Sequence, residues 1–350
     1  MRRRNTNLVT IRDVAQHAGV SPMTVSRVVN RESNVREPTR EKVAAAIEAL
    51  NYSPNLAARS LASADAVRIA LLYSNPSSAY LSEFLIGSLE QSSQVGCQLL
   101  IEKCDGPKGA GGAVDKLLSA GVDGVVLPPP LCDSPTVQKA LAAAGMLAVA
   151  VDTARESKLM SAVRIDDFEA ARVMTNHLLS LGHRDIALIK GHPNQTSSHQ
   201  RERGYRAAFA QAGAAPPEHR IVQGYFTYRS GLEAAELLLT ALSRPSAIFA
   251  SNDDMAAAAI AMAHRLKLNV PGDVTIVGFD DTALATTVWP TLTTVRQPIA
   301  DMARAAVVLL TDQIRRRRAG LPLDVEHKML DFTLIKRESA ARLEPASSKS

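Results

Sequence analysis

Aromatic side chains make up only 4% of the 350-residue chain, with a single tryptophan, so alanine, leucine and valine must fill the interior. Cysteine is scarcer still. Cys97, Cys104 and Cys132 are odd in number and lack metal-ligand spacing, which excludes a disulfide framework and a cysteine zinc site. They read as reduced, structural thiols in a cytoplasmic protein. No apolar run is long enough to span a bilayer, and the N-terminus has no secretory apolar segment. A dinucleotide glycine fingerprint is missing, and so is a nucleophile elbow. The stretch Gly106–Gly112 is glycine-rich, but Lys108 comes too early for a phosphate loop, and a flexible surface loop is expected there. Ser197, Ser198 and His199 are neighbours in sequence, and such neighbours seldom face one another. His177, His183 and His192 lack a metal-binding pairing. Neither an enzyme, a metal nor a cofactor is expected.

Charge is present but unevenly placed. Ten basic and five acidic residues lie within the first 62 positions, a net of +5 that equals the formal charge of the whole chain. The remainder balances to zero. A positive charge confined to one end is the electrostatic footprint of phosphate binding.

That same end carries the sequence TIRDVAQHAGVSPMTVSRVVN, Thr10–Asn30. Thr10 can cap a helix over Ile11–Ala18, with Asp13 in its first turn and Ile11, Val14, Ala15 and Ala18 on one apolar stripe. Gly19 supplies the turn. Ser21 can cap a second helix with Pro22 in its first turn. Val25, Val28 and Val29 face inward, leaving Met23, Thr24, Ser26, Arg27 and Asn30 outward. This is a helix-turn-helix, whose second helix is built to lie in the major groove. A third helix is expected over Thr39–Leu50, starting at a threonine cap. The breaker Asn51–Asn55 follows, and then Leu56–Ala62, a helix-capable segment too short to hold itself in water.

Thr10–Ala62 resembles the DNA-binding headpiece of the lac-repressor/gal-repressor family of bacterial transcription regulators. The resemblance rests on the Val-Ser-x-x-Thr-Val-Ser-Arg-Val-Val-Asn run at Val20–Asn30, Thr39–Val43 and the Asn-Tyr-x-Pro-Asn of Asn51–Asn55. It implies DNA contacts from Thr10, Ser21, Pro22, Met23, Thr24, Ser26, Arg27, Asn30, Asn34, Tyr52, Asn55 and Ala58. It also implies a hinge helix whose Leu61 wedges into the minor groove.

From Val67 onward, short apolar runs alternate with helical patterns, which implies parallel sheets in two similar lobes. The body resembles the periplasmic-binding-protein-like effector domain of the same family. The expected fold is an all-α helix-turn-helix headpiece plus an α/β effector domain of two doubly wound parallel-sheet lobes. The headpiece is expected at 8–54, the hinge at 55–63, the effector and dimerisation domain at 67–337, and a disordered tail at 338–350. Within the body, lobe 1 is expected at about 67–160 and 293–320, and lobe 2 at about 161–292 and 321–337. Ligands of open parallel sheets sit beyond the carboxyl ends of strands. Ser74, Asp152, Arg201, Phe226, Asn252 and Asp280 fall at such ends, and the resemblance implies that they contact an effector. Carboxylates, an amide, an arginine and an aromatic face suit a sugar, with a purine co-repressor as the alternative. The expected partners are a roughly palindromic operator, a small-molecule effector and a second copy of the chain. The run Arg315–Arg318 is expected to face water at a helix end, and the C-terminus has no leucine heptads to support a tetramer.

Overall fold

The computed structural model describes residues 9–29, 35–50, 52, 66–155, 157 and 160–343. The chain divides into two units, 1–66 and 67–350.

The first unit holds three helices, α1 (Ile11–Ala18), α2 (Pro22–Val29) and α3 (Glu37–Ala49). Thr10 opens α1 as expected: its amide and its hydroxyl both donate to Asp13 Oδ2 at 2.7 Å. Gly19 ends the helix in the left-handed region at φ 65°, where a side chain would be strained. Ser21 Oγ accepts the Thr24 amide at 3.2 Å and so caps α2. The apolar stripes close on one another, with Val14, Ala15, Val25, Val43 and Ala46 buried at the centre. The third helix departs from expectation. It starts at Glu37, not Thr39, and has no side-chain cap, because Pro38 in the first turn loses no hydrogen bond there. The proposed hinge at 55–63 lies outside the described residues.

The second unit contains two parallel sheets. The strands of the first are β1 (Arg68–Tyr73), β2 (Gln98–Lys103), β3 (Gly124–Leu127), β4 (Leu147–Val151), β5 (Ser161–Arg164) and β11 (His327–Met329). They run in the order β11-β5-β4-β3-β1-β2. The second sheet joins β6 (Ile186–Lys190), β7 (Ile221–Gln223), β8 (Ala247–Ala250) and β9 (Thr275–Val277) in the order β7-β6-β8-β9. Helices cover both faces, so central strands such as β3 and β8 are buried throughout. β10 (Thr294–Arg296) pairs antiparallel with β12 (Thr333–Ile335), and isolated bridges tie Thr293 to Val277 and Arg296 to Asp280.

The chain therefore passes between the lobes after β5, after β10 and between β11 and β12. This corrects the expected boundaries. The strand at 161–164 does not open the second lobe but pairs with β4 in the first sheet, Val149 opposite Ser161. The segment 321–337 does not return whole to the second lobe, because β11 pairs with β5. Of 293–320, β10 lies beside β9, while the helix Ile299–Arg318 packs on the first sheet, with Leu310 and Ile314 against Gly124. A short apolar run carries no mark of the sheet it joins, since strand pairing is non-local.

Two smaller expectations also change. Gly106–Gly112 is not a loop throughout: a helix begins at Ala110. Residues 338–343 are not a disordered tail. Ser339 is buried, its carbonyl accepts the Ile276 amide at 3.0 Å, and its hydroxyl accepts the Thr293 amide at 2.8 Å. Residues 344–350 lie outside the described residues. The Arg315–Arg318 run is exposed in the last turn of its helix, as expected. Arg315 also donates to the Val95 carbonyl, Arg317 to that of Gly145, and Arg318 to Asp123, so the run ties the helix end to neighbouring parts of the first lobe. Among the described residues, no helix is long and apolar enough to cross a membrane.

Candidate functional site

The first unit offers a polar helix face. Val25 turns into the core, while Ser21, Pro22, Met23 and Arg27 are exposed and Thr24 and Ser26 are half-buried. Met23 is 63% exposed, so it serves no packing role in this unit. Thr10 stands exposed at the start of α1. Tyr52 is a different case. It packs against the headpiece core, and its amide donates to the Ile47 carbonyl at 2.9 Å. Asn30, Asn34, Asn55, Ala58 and Leu61 lie outside the described residues.

The second unit has a narrow cleft where strand ends of the two lobes meet. Asp152, Arg201, Phe226, Asn252 and Asp280, named from the sequence, all line it. Ser74 does not, although its neighbours Asn75 and Ser77 do. Three of the lining residues hold a backbone that L residues rarely adopt: Asp152 at φ 58°, Phe226 at φ 60° and Asp280 at φ 116°. Such strain costs about 1–3 kcal/mol each and tends to collect at functional sites. The surrounding sheet ends hold it in place. The Asp152 amide is tied to the Val163 carbonyl at 2.9 Å and the Asp280 amide to that of Val295 at 2.8 Å.

Arg201 is the centre of the cleft. It is buried, donates to Asp167 Oδ1 at 2.7 Å and to the Ser251 carbonyl at 2.7 Å, and lies 3.6 Å from the centre of the Phe279 ring. Asp152 and Asp280 approach its guanidinium at 3.9 and 3.8 Å. Burial works against its charge, but Asp167, Asp152 and Asp280 together outweigh that and hold its pKa above the ordinary value. Burial drives the Asp152 and Asp280 carboxyls well above the usual range, against the pull of Arg201. Asn252 caps the helix Asp253–Arg265 through its Oδ1, and its Nδ2 reaches the Phe226 carbonyl at 3.2 Å. The capping role and a place in the cleft are thus compatible.

Reading the sequence missed Tyr80, Gln195, Ser197 and Gln297, which also line the cleft. Gln195 and Ser197 flank the start of the helix Thr196–Gln211, which no side-chain cap marks. Gln297 follows β10, a strand too short to show a period. Its Nε2 donates to Asp280 Oδ1 at 2.6 Å. Tyr80 Oη, Asp152 Oδ1 and Gln297 Oε1 are buried without a hydrogen-bond partner. Buried polar groups are nearly always paired, so three unpaired ones facing a single cleft point to a polar ligand.

Comparison with known proteins finds relatives of both units. A family model described as bacterial regulatory proteins, lacI family, matches residues 10–55, and one described as periplasmic binding protein-like domain matches residues 175–340. Catabolite control protein A of Priestia megaterium is 34% identical over 310 residues, 88% of this chain and 93% of its own. The lac repressor dimer bound to operator and an anti-inducer superposes with a TM-score of 0.76 at 29% identity, covering 95% of this chain and 99% of the other. The complex of the transcriptional regulator CelR with cellobiose gives a TM-score of 0.73 at 31% identity, over 95% and 100%.

Proposed function

The chain belongs to the lacI family of bacterial regulatory proteins, and from that membership we propose a repressor of carbohydrate-utilisation genes whose hold on operator DNA is set by a small sugar in the cleft around Arg201. It is a DNA-binding transcription regulator and not an enzyme. Two copies act together, so that two α2 helices read the half-sites of a roughly palindromic operator. Arg27 on the exposed face reaches a phosphate or a guanine edge, and Leu61 supplies the minor-groove wedge.

The observation that carries the sugar reading is the set of unpaired polar atoms at Tyr80, Asp152 and Gln297, beside the ring of Phe226. Gln297 Oε1 needs a donor, while Tyr80 Oη and the Asp152 carboxyl, which burial pushes toward its protonated form, take either role. A ring bearing several hydroxyls supplies both, while its C–H face lies against an aromatic side chain. A structural relative has been captured with the disaccharide cellobiose. Ligand in the cleft favours one arrangement of the lobes and releases the operator. By linkage, DNA then weakens ligand binding by the same factor.

A thermal-shift screen of sugars and nucleobases tests this, because a ligand that binds only the folded state raises the melting temperature. Sugars should give the hits, and a hit should lower operator affinity. The Asp280→Ala variant should lose the response while binding DNA as before. If only purines shift the protein, or if the variant still responds, the sugar reading falls and the regulator reading stands.

A further inference from the structure

Both lobes start a long helix at the rim of the cleft, and in each case a carboxylate from the opposite lobe meets that start. The second lobe's helix Thr196–Gln211 has Gln195 at its cap position, and Gln195 makes no capping hydrogen bond. The missing acceptor comes from across the cleft. Asp133, in the first-lobe turn Leu131–Asp133 that follows β3, takes the Thr196 amide on Oδ2 at 2.7 Å. The same carboxylate lies 2.9 Å from the Thr196 hydroxyl. That hydroxyl in turn accepts the first lobe's Ala154 amide at 2.8 Å. Asp133 is only 2% exposed, and Thr153 Oγ1 donates to its other oxygen at 2.6 Å.

On the other side the roles reverse. Ser77 caps the first lobe's helix Ser78–Val95 by accepting the Tyr80 amide. Its one hydroxyl proton goes across the cleft to Asp254 Oδ2 at 2.6 Å, in the first turn of the second lobe's helix Asp253–Arg265. Opening the lobes would strip the Thr196 amide at the start of the helix of its acceptor and leave Asp133 without a helix N-terminus beside its charge.

We propose that these two contacts are reciprocal latches that hold the lobes together across the cleft, and that Asp133 and Asp254 set how often it opens. The latches use no ligand atom, so the inference stands apart from the identity of the effector. Ligand enters through the open form, and the strength of the latches sets the starting balance that ligand then shifts.

The test uses the full-length, ligand-free protein. Small-angle scattering reads lobe separation, and hydrogen exchange reads the amides of residues 195–200. In the Asp133→Ala/Asp254→Ala double variant the radius of gyration should rise. Those amides should exchange roughly tenfold faster or more, as expected for losing charge-assisted hydrogen bonds. Each single variant should fall between. If Asp133→Ala does not fold, Thr196→Val, which removes the hydroxyl contacts to Asp133 and Ala154, takes its place beside Asp254→Ala with the same expected result. Scattering and exchange that superpose on those of the unaltered protein overturn the proposal. So does faster exchange with unchanged scattering, which would mark Asp133 as a helix cap and nothing more.

Discussion

Arg201 holds together a set of groups that no other cation in the cleft could balance. Replacing it with methionine leaves Asp167, Asp152 and Asp280 buried beside a neutral chain, at a cost of about 3–5 kcal/mol. Arg201→Met should therefore melt well below the unaltered protein in a calorimetric scan and give no thermal shift with any sugar. Gly191 acts more gently. A Cβ there would overlap the Phe226 ring, so Gly191→Ala should keep operator binding but lose effector affinity, which isothermal titration would read. Asp253 has a different signature. Burial raises its pKa to about 7, while Thr282 and Thr294 hydrogen-bond its oxygens. The folded state therefore binds a proton that the unfolded chain, with a pKa of about 3.9, has released, so this residue's contribution to stability is lost as pH rises from about 4 to about 7. Relative to the unaltered protein, Asp253→Asn should gain stability across that window in urea unfolding; a constant difference would contradict the assignment. At this scale the sequence was informative where a strand end and the family resemblance carried the residues, as with Arg201, Asn252 and Asp280. Tyr80 and Gln297 were hidden because their roles depend on a helix and a crossing strand placed by distant parts of the chain.

Helices with caps and stripes were legible from their own residues: α1 has its expected ends because Thr10, Asp13 and Gly19 act locally. Sheet membership was not legible. β7, β11 and β12 have three residues each, too few for a period, and β5 joined the first sheet through partners on β4. Glycines show the same split between local and non-local causes. Gly204 lies where the helices Asp167–Ser180 and Thr196–Gln211 cross, and a Cβ there would run into the Phe168 carbonyl. Gly204→Ala should cost about 1–3 kcal/mol through overpacking. Gly111, in the helix Ala110–Ser119, has open space around it, so Gly111→Ala should stabilise by about 0.4–1 kcal/mol. Urea midpoints that move the same way for both variants would show that the helix crossing does not decide the outcome.

For the molecule as a whole, the claim is that one chain carries a DNA-reading unit and a ligand-reading unit and that ligand changes DNA binding. The positive charge of the first 62 residues suits the first task, and the proposed effector site is the buried, strained cleft around Arg201. Arg27→Ala and Leu61→Ala should each weaken operator binding by about 1–3 kcal/mol in a salt-matched titration, without altering sugar-induced thermal shifts. The most direct measurement selects the protein's preferred duplex from a random DNA pool and then follows its binding by fluorescence anisotropy while a sugar that raises the melting temperature is added. The account predicts that the sugar releases the duplex from the unaltered protein, is recovered unconsumed, and has no effect on the Asp280→Ala variant. A sugar that stabilises the protein yet leaves its DNA affinity unchanged would contradict it.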